Sequence, residues 1–259
     1  MPNAFITEDD GIITVTLDRD EKLNAINSSM TAVLWEAVNA LSDRDDLRCL
    51  VITGRGRFFS AGIDMSDGPV SPRPPTDHPG WNFRRDYRRH HLLYDEFEVV
   101  EKPVVLAAQG TCLGAGLEMA VSCDFRFCTS EVQFGLPEVN IGVMPGSGGT
   151  SRLTRLVGPA WGKWMAMAGQ RVTAEQAVRI GLVHEVYPAE EFMDRVYAFC
   201  RQLITVPAEV LGITKLAVDM YADVQDRTVQ RHVDRIIVTG IRDSPEFQAR
   251  TARFRAKED

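Results

Sequence analysis

Two short stretches of small residues, Phe59-Ser60-Ala61-Gly62-Ile63-Asp64 and Leu113-Gly114-Ala115-Gly116-Leu117-Glu118, are where a ligand could reach the main chain of this sequence. Small side chains let an acceptor approach peptide N–H groups. If the second stretch opens a helix, its first N–H groups lack intrahelical partners, and the helix dipole adds positive potential there. Two such donors aimed at one oxygen form an oxyanion hole, in which removing one donor typically costs about 3 to 4 kcal/mol of transition-state stabilisation. The alternative is that both stretches are only tight strand-to-helix turns, and spacing alone leaves it open.

Other motifs that these residue types suggest are incomplete. Gly114-Ala115-Gly116 begins like a dinucleotide fingerprint, but Met119 stands where its third glycine belongs, which disfavours a nicotinamide site. There is no G-x-x-x-x-G-K-S/T loop, and neither Ser60 nor Ser147 sits in a G-x-S-x-G elbow. The histidines (His78, His90, His91, His184 and His232) form no H-x-x-x-H pair, so no metal site is expected.

The elements that must position the two stretches follow from periodicity. Ile13, Val15 and Leu17 alternate, which predicts a half-buried strand over 12–18. Asn27 or Ser28 caps a helix in which Met30, Val33, Leu34, Ala37, Val38 and Leu41 repeat at three-and-four spacing. Leu50-Val51-Ile52, closed by Gly54, reads as a strand buried on both faces. After Pro103 the chain repeats the theme. VVLAA is a strand, GTCLGAG a turn, residues 117–121 a short helix and 124–128 another strand. From Ser147 helices dominate, with Gly158 and Gly169 as stops, a Thr173-x-x-Gln176 capping box, and 182–186 as the clear later strand. The fold class is α/β. With no internal repeat or low-complexity linker, one core over residues 1–195 followed by a helical region over 196–259 is expected.

Between Met65 and Arg84 five prolines and two glycines predict a long loop, either a lid or binding segment or simply mobile chain. The helix expected over Arg84 to Glu98 carries Arg84, Arg85, Arg88, Arg89, His90 and His91, read as a solvated basic face. The 259 residues, 44% hydrophobic and with a net charge of −7, suit a packed core and argue against a nucleic-acid partner. The stretch 104–121 is interrupted by Gln109 and Glu118 and reads as buried backbone rather than a membrane span. Five cysteines without a C-x-x-C pair, and acidic residues where a signal peptide would be basic, fit a cytoplasmic protein.

The runs RDEKLNAIN, FFSAGIDM, QGTCLGAGLEMAVSCDFRF, QFGLPEVNIGVMPGSGGTSRLTRLVG and AGQRVTAEQAVRIGLVHEV closely resemble the enoyl-CoA hydratase/isomerase family, also called the crotonase superfamily. The resemblance covers roughly residues 10 to 190. It implies a spiral of ββα units followed by C-terminal helices that assemble a homotrimer or a homohexamer, a dimer of trimers.

Position by position, the resemblance puts the two carbonyl-holding N–H groups on Ile63 and Ala115, and the two catalytic carboxylates on Glu118 and Glu138. Glu118 is expected to hold and deprotonate water and Glu138 to protonate Cα, with the Gly146 N–H helping to hold the water. Coenzyme A contacts fall on Lys22, Asn24, Ala25 and Arg57, and on Phe254 and Lys257 toward a neighbouring subunit's ligand. Coenzyme A is part of the substrate, so no separate cofactor is implied. The implied activity is reversible hydration of a 2-enoyl-CoA thioester. The rival readings are a 3-enoyl-CoA to 2-enoyl-CoA isomerase on the same fold and a non-catalytic acyl-CoA-binding subunit. The chain departs from the pattern at Ala115, where glycine is more usual, in the 66–83 loop with Trp81 and Phe83, and at its C-terminal end.

Overall fold

The computed structural model describes residues 3–66, 76–224, 226–242 and 245–255. The larger of two sheets has the strand order β1 (Ala4–Asp9), β2 (Ile12–Leu17), β3 (Cys49–Gly54), β5 (Val104–Ala108), β7 (Phe125–Thr129) and β10 (Glu185–Tyr187). Only β1 and β2 pair antiparallel in it. The smaller sheet runs β4 (Phe58–Ser60), β6 (Thr111–Leu113), β8 (Gln133–Gly135) and β9 (Val172–Thr173), with β9 alone antiparallel.

The chain alternates between the two. β3 and β4 lead to helix α2 (Pro79–Val99), β5 and β6 to α3 (Ala115–Ala120), and β7 and β8 to α4 (Gly149–Gly162). Each unit is therefore ββα, and successive units add parallel strands to both sheets, which is the spiral that the resemblance implies.

Helix α1 (Ser28–Asp43) is capped by Asn27, whose side chain accepts from the Met30 N–H, and buries Met30, Leu34, Ala37, Val38 and Leu41. The expectation for β2 was too modest. Every residue of that strand is buried, because Ile13, Val15 and Leu17 join the main core while Ile12 lies in a second one beneath helix α6 (Phe192–Leu203). Phe192, Val196 and Cys200 of α6 pack there against Cys49, Val51 and Val105. The boundary expected after residue 195 thus falls inside a helix that covers the sheet.

α2 begins at Pro79 rather than at Arg84, since proline is tolerated at a helix start where its missing N–H has no partner to lose. Trp81 and Phe83, expected in the loop, lie within this helix, and residues 67–75 of that loop lie outside the described residues. The capping box forms at Thr173 and Gln176 to open α5 (Ala174–Arg179). At Gly158 the backbone leaves the helical region (φ 77°, ψ 166°), so the stop expected there interrupts α4. The C-terminal helices are α7 (Ala208–Asp223), α8 (Arg227–Arg242) and α9 (Pro245–Arg255).

Candidate active site

Three neighbouring parallel strands deliver the site. Ser60 of β4 is in register with Cys112 of β6, and Cys112 with Phe134 of β8. The chain therefore leaves the carboxyl ends of all three strands side by side, where open α/β sheets hold ligands. Residues 61–64 follow β4, residues 114–118 follow β6, and residues 136–138 follow β8.

Ile63 forms a parallel bridge with Ile26. The Ile26 N–H donates to the Gly62 carbonyl at 2.8 Å, and the Asp64 N–H donates to the Ile26 carbonyl at 2.9 Å. Parallel pairing of this kind uses the groups flanking residue 63 and turns its own N–H to the opposite side. Gly62 packs there on the start of α3, where an added Cβ would lie 3.4 Å from the Ala115 nitrogen. Ala115 is the first residue of α3, so its N–H precedes the helical ladder. Among the described residues neither amide donates to another protein group.

Both segments are anchored from behind. Asp64 accepts from the Arg19 guanidinium at 2.6 Å and from the Ser66 hydroxyl and N–H, and these partners, Ser66 foremost, hold its carboxyl well below the usual range. The buried Tyr94 hydroxyl donates to the Ala115 carbonyl at 2.8 Å.

Glu118, in the same short helix, is 4% exposed. Its Oε1 accepts from the Ser147 N–H at 2.7 Å and the Gly149 N–H at 3.2 Å, at the start of α4, where the helix dipole favours negative charge. Only glycine fits at 149, because a Cβ would come within 2.8 Å of that same oxygen. Burial nevertheless pushes Glu118 up to about 7, with the negative charge of Glu138 adding to the effect and the two N–H groups opposing it.

Glu138 lies in the 3-10 turn Pro137–Ile141, and burial raises it as well. Its Oε2 is buried without a hydrogen-bond partner among the described residues. A Cβ on Gly114 would lie 3.2 Å from Glu138 Oε1, so this carboxylate stands beside the start of α3. Two carboxyl groups 20 residues apart in sequence are thus brought within electrostatic reach of each other and next to two unspent amides.

Arg152 of α4 closes the back of the site, donating to Asp95 and Glu98 of α2 at 2.5 and 2.7 Å and to the Ser147 carbonyl at 3.3 Å. Sequence reasoning missed Tyr87 on α2. Its hydroxyl presses on Gly146, where a Cβ would collide with it. The fields of Glu118 and Glu138 both reach it, although burial is the main reason its pKa rises. His91 meets the Tyr87 ring edge-on at 4.8 Å. The signal was the three-and-four spacing of Tyr87, His91 and Tyr94, which the arginines of the same helix mask. The Ser147 and Gly149 donors were missed too, although consecutive small residues before a helix are a known anion-holding pattern.

The expected coenzyme A residues separate into groups. Lys22 and Arg57 are exposed, and the Arg57 N–H donates to Asp20 at 3.1 Å, which holds loop 55–57 against the 20–22 turn. Ala25 is half-buried, and its carbonyl accepts from Arg19 at 3.3 Å. Asn24 is placed differently. Its side chain is wholly buried, donating to the Arg55 and Phe58 carbonyls at 2.8 and 2.7 Å and accepting from the Arg19 N–H at 2.7 Å, so it braces the loop beside Ile63 rather than facing a ligand. The Phe254 side chain and Lys257 lie outside the described residues.

Comparison with known proteins agrees with this arrangement. The Enoyl-CoA hydratase/isomerase family matches residues 7–259. A short-chain-enoyl-CoA hydratase of Clostridium acetobutylicum is 32% identical over 218 residues, covering 84% of this chain and 81% of that protein. A carnitinyl-CoA dehydratase of Salmonella enteritidis is 36% identical over 216 residues, covering 83% and 79%. The crystal structure of an enoyl-CoA hydratase subunit from Geobacillus kaustophilus superposes with a TM-score of 0.88 at 30% identity, covering 98% of this chain and 95% of that one. With two unspent amides, one buried and one half-buried carboxylate at the ends of three parallel strands, and with these relatives, the chain belongs to the enoyl-CoA hydratase/isomerase family.

Proposed function

We propose that this protein is an enoyl-CoA hydratase, adding water reversibly across the double bond of a 2-enoyl-CoA thioester. The observation that carries the reading is the pair of glutamates, Glu118 buried and Glu138 half-buried, both raised by that burial, beside the N–H groups of Ile63 and Ala115. Hydration needs one group to take a proton from water and another to give one to carbon, and neighbouring carboxyls in a poorly solvated site can divide these tasks near neutral pH.

In the proposed step water forms a bond from its oxygen to Cβ while Glu118 takes its proton. The π electrons of the double bond move toward the thioester, and its carbonyl oxygen becomes an enolate oxygen held by the Ile63 and Ala115 amides. Cα then takes a proton from Glu138. Donors fixed before the reaction stabilise the charge that develops more than they stabilise the ground state. Nothing is oxidised or reduced, and the sum is one water added.

The exposed Lys22 and Arg57 at the rim suit the phosphates of coenzyme A. Helix α8 buries none of its residues and leaves Val229 and Ile236 exposed on its apolar stripe, which supports assembly into a homotrimer or a dimer of trimers. Among the described residues no helix is long and apolar enough to cross a membrane, and we place the protein in the cytoplasm. The test is direct. Loss of conjugated-thioester absorbance from crotonyl-CoA reports hydration, whereas a gain from a 3-enoyl-CoA with no activity on crotonyl-CoA would replace this reading by the isomerase.

A further inference from the structure

The residues that hold Glu118 are themselves held from behind. Ser147 donates its N–H to Glu118 Oε1 at 2.7 Å, and its carbonyl accepts from Arg152 Nη1 at 3.3 Å, so one residue's main chain separates the carboxylate from the guanidinium. Gly148, at φ 93°, lies against that guanidinium, where an added Cβ would run into Nη1, and Gly149 donates a second N–H to Glu118 at 3.2 Å. The far side of the guanidinium is fixed on α2, with Nη2 donating to Asp95 at 2.5 Å and to Glu98 at 2.7 Å. The Arg152 side chain is 12% exposed, whereas Asp95 and Glu98 are exposed by 46% and 37%. The turn has a tie of its own, from the Thr150 hydroxyl to the Pro145 carbonyl at 2.7 Å, so closing it does not by itself require a buried cation.

We infer that Arg152 is a positioning residue for the reaction, fixing the Ser147 and Gly149 N–H groups on Glu118 and setting positive charge behind that carboxylate, an inference that rests on the hydratase reading. A donor orients a carboxylate only if its own peptide cannot turn, and the 147–149 segment holds two glycines. A planar guanidinium can hold a carbonyl and two carboxylates at once, whereas an ammonium is a single point of charge. The charge matters because the groups facing Glu118 and Arg152 are otherwise acidic or neutral. Glu138 raises Glu118 from the 137–141 turn, and Asp95 and Glu98 stand on α2. Tyr87 and Tyr94 of the same helix are raised and His91 is lowered, all three mainly by burial, so they are neutral where Glu118 titrates. A cation one residue away opposes the cost of burying the carboxylate, which without it would gain its charge only at higher pH.

The experiment follows the acid limb of kcat/KM for crotonyl-CoA, which reports the free enzyme, in the wild-type protein, Arg152→Gln and Arg152→Lys. Glutamine keeps a donor for the Ser147 carbonyl without the charge, and lysine keeps the charge without the fork. The midpoint is expected to rise by about one pH unit in Arg152→Gln and to stay within about 0.3 unit of wild type in Arg152→Lys. The plateau kcat is expected to fall roughly 3- to 10-fold in both, as the N–H groups on Glu118 lose their support. A merely structural role lowers the plateaus without moving a midpoint. An unmoved midpoint in Arg152→Gln, an equal shift in Arg152→Lys, or wild-type plateaus in both overturn the inference. If Arg152→Gln does not fold, the double variant Asp95→Asn/Glu98→Gln keeps the cation and removes the anions that offset it. Its midpoint must then fall, and one that is unmoved or raised overturns the inference. The same midpoints are read without turnover from the protonated-carboxyl infrared band that disappears when Glu118→Gln is added to each protein. A wild-type protein inactive on crotonyl-CoA would overturn the hydratase reading, and the infrared midpoints would still decide whether Arg152 governs Glu118.

Discussion

The Ser147 N–H lies 2.7 Å from Glu118 Oε1, so the carboxylate is oriented by main chain at the start of a helix and not by another side chain. Its orientation should survive replacement of the acid by its amide, which keeps an acceptor oxygen at the same place. We therefore expect Glu118→Gln and Glu138→Gln each to slow crotonyl-CoA hydration by at least about 100-fold while acyl-CoA binding stays close to wild type. Steady-state rates together with calorimetric titration of a saturated acyl-CoA check this, and wild-type-like turnover in either variant removes that residue from the chemistry.

Glu118 acts as a base only when ionised, and burial raises it to about 7. kcat/KM for hydration should therefore climb with pH until about 7 and level off above it. Because Glu138 raises Glu118 by its charge, that midpoint belongs to the pair. A flat profile between pH 5 and 9 would contradict the assignment.

The same shift makes a stability prediction. A carboxyl whose folded pKa is above its unfolded one favours the folded state fully below the unfolded value, and this contribution is lost as pH rises through the folded one. For Glu118 the window runs from 4.5 to about 7. At about 1.4 kcal/mol per pH unit, the buried charge costs up to roughly 3 kcal/mol above it. Urea denaturation should show Glu118→Gln more stable than wild type at pH 8, with the advantage gone near pH 4.

Asn24 gives a way to separate bracing from ligand contact. Asn24→Ala removes three partly buried hydrogen bonds, which should cost about 1 to 3 kcal/mol, since the Arg55 carbonyl and the Arg19 N–H lose their partner while the Phe58 carbonyl keeps Gln109. In the fraction that folds, KM for acyl-CoA should barely change. A large rise in KM at unchanged stability would restore Asn24 as a coenzyme A contact.

Gly114 has φ 54° and ψ −128°, a region almost closed to other residues. Gly114→Ala should cost about 1 to 3 kcal/mol in strain and also press on Glu138, whose Oε1 would be 3.2 Å from the new methyl. A melting temperature lowered together with a reduced kcat is the expected pattern.

Much of the frame was legible because β2 and α1 show a period and β3 and β5 are continuous apolar runs, and each appeared close to its expected place. The strands that create the site were not. β4, β6 and β8 have three residues each, too few to distinguish alternation from a turn, yet their mutual register places Ile63, Ala115 and Glu138 together. Glu118 and Glu138 reached the site assignment through resemblance, since nothing local in a lone glutamate says that a helix 30 residues on will cap it. Tyr87 was hidden by its own helix, where Arg84 and Arg88 are exposed while Tyr94 and Phe97 are buried.

The two amides at 63 and 115 belong to the peptide chain itself, and no ordinary substitution other than proline deletes an N–H. Ile63, whose side chain is 42% exposed, can thus drift toward larger, smaller or polar types and reshape the space around an acyl tail without erasing the anchor for the carbonyl. A lineage built this way is free to explore new substrates at little risk to its core reaction.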